Sequence, residues 1–336
     1  MADPQLSVLV PVYNEGAGLH AFWQRLRVVL DGLSVDAEVL FVDDGSNDGS
    51  DAALQTLAAE DARIGVLTLS RNFGKEVAMS AGFDHVHGDW TVLIDADLQD
   101  PPELIPALLD KAASGYDMVY ARRRHRHGET WIKRTTAAVF YRLMGRLSRR
   151  VAIPRDTGDF RVLSARAVAA LRRFREQHRF MKGLFAWIGY PSAEIVYDRD
   201  PRAAGESHFS LWRLWNFALE GITSFSTAPL RLASYLGMVV ALVAFAFGFW
   251  IVLKTVLFGE SVRGYPTIMV TLLFFSGVQL LFIGVIGEYL GRMFEETKQR
   301  PLYLVQSLRR PRAQAADQPA DQASNTAATS PGRRAP

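Results

Sequence analysis

Apolar runs alternate with amphipathic stretches along the first third of the chain. Leu6 to Tyr13 is an almost unbroken apolar, β-rich run. Gly18 to Leu30 places Leu19, Phe22, Leu26 and Leu30 on one face at helical spacing. Glu38 to Val42 predicts a second strand, Ile64 to Leu69 a third, Thr91 to Ile94 a fourth and Met118 to Ala121 a fifth. Helices are expected between them: Asp48 to Ala59 (capped by Ser46 or Asn47), Lys75 to His87, and from Pro101 and Pro102 through Leu109. Near-continuous apolar strands alternating with helices predict an α/β fold, a mostly parallel sheet flanked by helices. Ligands bind such sheets at the carboxyl ends of the strands.

The pattern then changes. Lys133 to Arg150 reads as a basic amphipathic helix, with Arg142, Arg146 and Arg149 on one stripe. Leu211 to Ile222 reads as a helix apolar nearly all round, and its Trp212, Trp215 and Phe217 suit a membrane interface. Either helix can instead pack on the sheet; the runs that follow favour the interface. Leu232 to Leu253 and Ile268 to Leu290 are each long enough to span a bilayer, and Glu288 is their only acidic or basic residue. Arg231 precedes the first span, and Arg292, Lys298 and Arg300 follow the second. This bias places the outer flanks in the cytoplasm. The expected plan is a cytoplasmic catalytic domain with interfacial helices over 1–225, two transmembrane helices within 226–300, and a cytoplasmic, largely disordered tail over 301–336.

Composition adjusts this picture. The averages, 49% hydrophobic and 22% charged, look globular and conceal the gradient toward the apolar end. A formal net charge of +3 over 336 residues gives no argument for nucleic acid as a partner. With no cysteine, disulfides, thiolate metal sites and cysteine nucleophiles are excluded. Met1 to Tyr13 lacks the basic start and long apolar core of a secretory signal, so the first domain is expected to stay in the cytoplasm.

Acidic residues gather at the predicted strand ends. Asp95 and Asp97 follow the fourth strand, and two carboxylates so placed can grip one hard cation, Mg²⁺ or Mn²⁺. That cation would offset the charge building on a diphosphate leaving group. Asp198-Arg199-Asp200 has the same spacing but no such context and reads as a loop. Asp43-Asp44-Gly45-Ser46 ends the second strand and fits either a ribose-binding carboxylate or a tight turn with a helix cap. Asn14-Glu15-Gly16 ends the first strand with the same two readings. Three acidic ends on one side of one sheet repel one another unless a cation or ligand joins them.

These residues resemble the family 2 glycosyltransferases of GT-A fold. The resemblance rests on Val10-Pro11-Val12-Tyr13-Asn14-Glu15, Asp43-Asp44-Gly45-Ser46, Arg71-Asn72-Phe73-Gly74-Lys75-Glu76 and the run from Asp95 to Glu103. Thr157-Gly158-Asp159-Phe160-Arg161, the stretch Arg179 to Gly189 and the two apolar runs are similar to the polyisoprenyl-phosphate subgroup, of bactoprenol glucosyltransferase type. The resemblance implies a nucleotide pocket lined by Pro11, Tyr13, Glu15, Asp43 and Asp44, with Lys75 near the nucleotide. It implies Mg²⁺ or Mn²⁺ held by Asp95, Asp97 and Gln99, and a catalytic position at Asp159. Arg122 and Arg202 would face the acceptor phosphate, with Arg134 a weaker candidate. His208 stands where the family often has a lysine, a departure that weakens phosphate binding at high pH.

The implied reaction is inverting transfer of one sugar, glucose from UDP-glucose by preference, to undecaprenyl or another polyprenyl phosphate at the bacterial cytoplasmic membrane. A phosphate monoester has its second pKa near 6 and is already an anion, so Asp159 can serve as base or as orienting group. Other sugars, a processive synthase and a non-catalytic nucleotide-sugar-binding subunit are the alternatives; a homo-oligomer is compatible. A Gln-x-x-Arg-Trp motif, usual in processive synthases, is only imitated by Gln177-His178-Arg179-Phe180, and no Gly-x-Gly-x-x-Gly of a dinucleotide enzyme follows the first strand.

Overall fold

The computed structural model describes residues 5–124, 157–177, 179–197 and 264–311, with scattered positions between 235 and 257. Its centre is a sheet in which β1 (Leu6–Val12) pairs in parallel with both β2 (Ala37–Asp43) and β4 (Trp90–Leu93). β2 in turn pairs in parallel with β3 (Ile64–Leu69). Every residue of β1, β2 and β3 is buried, which explains their unbroken apolar character: both faces are covered.

The helices α1 (Leu19–Asp31), α2 (Ser50–Glu60) and α3 (Lys75–His85) make the crossovers. A 3₁₀ turn at Pro102–Leu104 and α4 (Ile105–Ala113) lead to β5 (Met118–Arg123). Then come β6 (Thr157–Ser164), α5 (Ala165–Arg172), α6 (Met181–Trp187) and β7 (Ser192–Tyr197). The strand order is β7-β5-β6-β4-β1-β2-β3-β8, with β8 at Val305–Arg309. β6 runs antiparallel to β4 and β5, and β8 antiparallel to β3.

Two apolar layers sandwich this sheet. Phe22, Leu26, Leu54 and Leu108 cover one face against Val8, Val10, Val39 and Phe41. Met79, Phe83, Leu171 and Phe185 cover the other against Leu9, Val42, Leu67 and Leu93. Each such side chain contributes about 1.5–3 kcal/mol by leaving water. Gly82 lets α3 sit close, since a Cβ there would meet Leu9 Cδ1 at 2.1 Å.

Two expectations need correction. Helix α2 starts at Ser50 rather than Asp48, with Gly49 before it at φ 94°. Ser46 and Asn47 are drawn across to the neighbouring loop instead: Asn14 N–H donates to Ser46 Oγ at 3.0 Å, and Asn47 N–H to Asn14 Oδ1 at 2.9 Å. The boundary drawn at 301 also moves. Residues 301–311 return to the sheet, where β8 pairs with β3 and Arg309 donates to the Ala58 carbonyl at 2.6 Å. Residues 312–336 lie outside the described residues.

The helix α7 (Tyr265–Thr297) carries the second expected span. Phe274–Thr297 is long and apolar enough to cross a membrane, the one such helix among the described residues. Leu272, Phe274, Leu280, Ile283, Ile286 and Leu290 are exposed along it. Its 33 residues reach about 50 Å at 1.5 Å per residue, beyond a hydrocarbon core of about 30 Å. The first expected span lies partly outside the described residues. Its described positions are helical, and a Cβ on Gly237 would come within 3.1 Å of Phe282, which sets the two segments side by side. The expected helices at 133–150 and 211–222 lie outside the described residues.

Candidate active site

The parallel register brings the acidic loops together. Val12 at the end of β1 pairs with Asp43 at the end of β2, and β4 on the other side of β1 leads into Asp95 and Asp97. β6 lies antiparallel beside β4, with Leu93 opposite Arg161, so Asp159 near the start of β6 arrives at the same edge. The clustering expected from the sequence is therefore present.

The nucleotide-side residues divide by what they touch. Pro11 is buried within β1, while Tyr13 is 45% exposed at its end. Glu15 N–H donates to Ser50 Oγ at 3.1 Å, fixing the first loop on α2. Asp43 Oδ1 accepts from Ser46 N–H at 3.1 Å. Both oxygens of Asp44 are engaged by the loop before α3, accepting from Phe73 N–H at 2.7 Å and Gly74 N–H at 2.8 Å. Burial raises the pKa of both carboxyls, against these hydrogen bonds. Both carboxylates therefore serve turns: Asp44 shapes the rim, and Asp43 is held by Ser46. Gly45 permits the approach of these loops. It has φ 69°, and a Cβ would fall 2.5 Å from the Arg71 carbonyl carbon.

At the centre stands Lys75, the second residue after Asn72-Phe73. Its Nζ lies 2.7 Å from both oxygens of Asp95 and 2.6 Å from Asp159 Oδ2. Only the Oδ2 contact of Asp95 has hydrogen-bond geometry, so Oδ1 is buried without a hydrogen-bond partner. Burial by itself would lower the Lys75 pKa, but the two carboxylates overcome it and hold the ammonium above its usual range. Burial pushes Asp95 upward. Asp159 is held well below the carboxylate range, since Lys75 and Lys182 outweigh its burial. These cations favour the anionic form of Asp159.

Asp97 accepts from Gln99 N–H at 3.0 Å through Oδ1, around a left-handed Leu98 at φ 57°. Gln99 is buried. Among the described residues no three His, Asp or Glu side chains converge as a complete metal cage. What is present fits a hard divalent ion that shares its shell with a diphosphate: two carboxylates, one with an unsatisfied buried oxygen.

Three residues of this edge escaped the sequence reading. Glu76 accepts from Met181 N–H at 2.8 Å, and burial pushes its pKa up to about 7. Arg161 donates to the Gly158 carbonyl at 2.9 Å and the Asp159 carbonyl at 3.0 Å, and lies 3.6 Å over the Phe185 ring. Burial lowers its pKa to about 10. Lys182 sits near Asp159 on α6. All three fall inside motifs that carried the family resemblance, which was the available signal.

The acceptor-side expectations are only partly described. Arg122, opposite Thr157 on β6, makes an ion pair with Glu194 of β7 at 3.0 Å. Arg134, Arg202 and His208 lie outside the described residues, as does Asp198-Arg199-Asp200.

Comparison with known proteins finds relatives over most of the chain. The sequence pattern described as glycosyl transferase family 2 matches residues 7–172, and that of the GtrB C-terminal hairpin matches 228–293. An uncharacterized glycosyltransferase of Synechocystis sp. is 49% identical over 304 residues, 90% of this chain and 95% of that one. A prophage bactoprenol glucosyl transferase homolog of Escherichia coli is 44% identical over 306 residues, 91% of this chain and 100% of that one. A bactoprenol glucosyl transferase of Shigella phage SfX is 44% identical over 303 residues, 90% and 99% of the two chains.

Proposed function

The chain belongs to glycosyl transferase family 2, with the GT-A arrangement of its sheet, and we propose that it transfers glucose from UDP-glucose to a polyprenyl phosphate at a membrane surface. Similarity to bactoprenol glucosyl transferases over nine-tenths of the chain supports the sugar and the lipid class. The observation that carries the chemistry is the meeting of Asp95 and Asp159 on the Lys75 ammonium at the carboxyl edge of the sheet, with Asp97 two residues beyond Asp95. The exposed apolar helix α7 and the match to the GtrB C-terminal hairpin over residues 228–293 support a membrane-anchored enzyme with two spans, its catalytic domain in the cytoplasm.

In this reading Tyr13, Glu15 and Asp43 meet the nucleoside, and Asp44 holds the loop that closes over it. Asp95 and Asp97, with Gln99, hold Mg²⁺ or Mn²⁺. When bound, the ion neutralises the diphosphate as it departs. A phosphate oxygen of the lipid forms the new bond to the anomeric carbon from the opposite face. The bond to the diphosphate breaks, and UDP leaves with the electron pair. The acceptor oxygen carries no proton, so Asp159 orients Lys75 and the sugar rather than removing a proton.

The test is incubation of the purified full chain with undecaprenyl phosphate, Mg²⁺ and, separately, UDP-glucose, UDP-galactose and UDP-N-acetylglucosamine, followed by mass analysis of the lipid. One hexose on the lipid, from UDP-glucose alone or in preference, is expected. Faster use of another donor overturns the choice of sugar, and a polymer or no lipid product overturns the reaction.

A further inference from the structure

The cations of the active-site edge are not equally occupied. Lys75 spends its ammonium on Asp95 and Asp159. Arg161 spends its guanidinium on the backbone carbonyls of Gly158 and Asp159 and on the Phe185 ring. Arg122 is paired with Glu194. Lys182 differs. It is half-buried, yet among the described residues it makes no hydrogen bond and no ion pair.

Its position is fixed from both sides. One residue before it, Met181 N–H is held by the Glu76 carboxylate at 2.8 Å, and Glu76 directly follows Lys75. Three residues after it, Phe185 lies under Arg161, two residues along β6 from Asp159. Helix α6 is thereby locked to α3 and β6 on either side of Lys182. Burial lowers the Lys182 pKa, while Asp159 and Glu76 act to restore the charge. A half-buried ammonium held beside the carboxylates of this edge still has donors to offer a ligand that arrives there. A phosphate oxyanion is a matching partner for the N–H donors of an ammonium.

We infer that Lys182 is a phosphate ligand of the active site, completing its ammonium shell with an oxyanion of a bound substrate beside Asp159. The inference rests on the transferase reading and adds to it a residue and a role. Two substrates present that chemistry, the lipid phosphate and the diphosphate of the nucleotide sugar. Glu76 acts as a positioning residue, keeping α6 where Lys182 reaches the edge.

The experiment compares wild type, Lys182→Ala, Lys182→Gln and Lys182→Arg as full chains in detergent. KM is measured for undecaprenyl phosphate, and Kd for UDP with Mg²⁺ by calorimetry. Loss of one charge-assisted hydrogen bond predicts a rise of about tenfold to a hundredfold in one constant for the Ala and Gln variants. The Arg variant stays within severalfold of wild type. A rise in KM assigns the anion to the acceptor, and a rise in Kd assigns it to the donor. Both constants unchanged in a variant that melts like wild type overturn the inference, and Lys182→Gln serves if Lys182→Ala does not fold. If wild type forms no glycolipid, the transferase reading fails, while the UDP titration still reports on Lys182.

Discussion

Replacing Lys75 by Met removes the cation that joins Asp95 to Asp159 while keeping most of the side-chain stem. Two charge-assisted contacts, at 2.7 and 2.6 Å, disappear together. Each such hydrogen bond is worth about 1.5–3 kcal/mol. Lys75 keeps 43% of its side chain exposed, however, so solvent screening reduces the sum to about 1–3 kcal/mol. The carboxylates left behind also repel each other. In a domain of this size each kcal/mol moves Tm by about 2–4 °C, which gives a fall of about 2–12 °C. The assay is thermal unfolding of the full chain in detergent, followed by circular dichroism, with EDTA or with millimolar Mg²⁺ or Mn²⁺. In EDTA the variant melts below wild type. Added metal restores more Tm to the variant than to wild type, because the divalent ion takes over the neutralising task. Equal melting of both proteins in EDTA, or an equal response to metal, refutes the reasoning.

Two further outcomes follow from the same geometry. The Glu76 carboxyl is pushed from 4.5 up to about 7 by burial, so the folded chain binds a proton that the unfolded chain releases. Its contribution is therefore fully favourable below pH 4.5 and is lost as pH rises through 7. Glu76→Gln keeps an acceptor for Met181 N–H and removes that slope. Denaturant titrations should show the stability of wild type minus variant falling by about 2–3 kcal/mol between pH 4.5 and 8. Arg122→Ala should raise KM for undecaprenyl phosphate without moving the Kd of UDP, and by less than the lysine variants of α6 do if those act on the acceptor, because Glu194 already engages Arg122. A change confined to UDP binding would place Arg122 on the donor side.

The parts of the fold that were legible share one property: burial on both faces. β1, β2 and β3 are buried at every position, and such strands announce themselves as apolar runs. β8 does not, because Val-Gln-Ser-Leu-Arg is an edge strand paired on one side only, with its first three residues exposed. β6 places Asp159 and Arg161 on a strand interior, where charge masks the alternation. The site divides along the same line. Asp43, Asp44, Asp95 and Asp97 sit at the ends of legible strands and could be grouped by topology alone. The Lys75–Asp159 pair spans 84 positions and the Glu76–Met181 contact 105, and no local spacing encodes either. The spent oxygens of Asp44 are likewise a consequence of where the loop before α3 folds back.

In the proposed function, Asp95 and Asp97 hold the divalent ion that joins the protein to the donor's diphosphate. Calorimetric titration of UDP into wild type and Asp97→Ala, each with Mn²⁺ and with EDTA, tests it without requiring turnover. Wild type should lose at least about tenfold in UDP affinity when the metal is withdrawn, as the loss of one ionic contact demands, and Asp97→Ala should bind UDP equally weakly in both buffers. Metal-independent UDP binding by wild type, or an undiminished metal effect in folded Asp97→Ala, contradicts it.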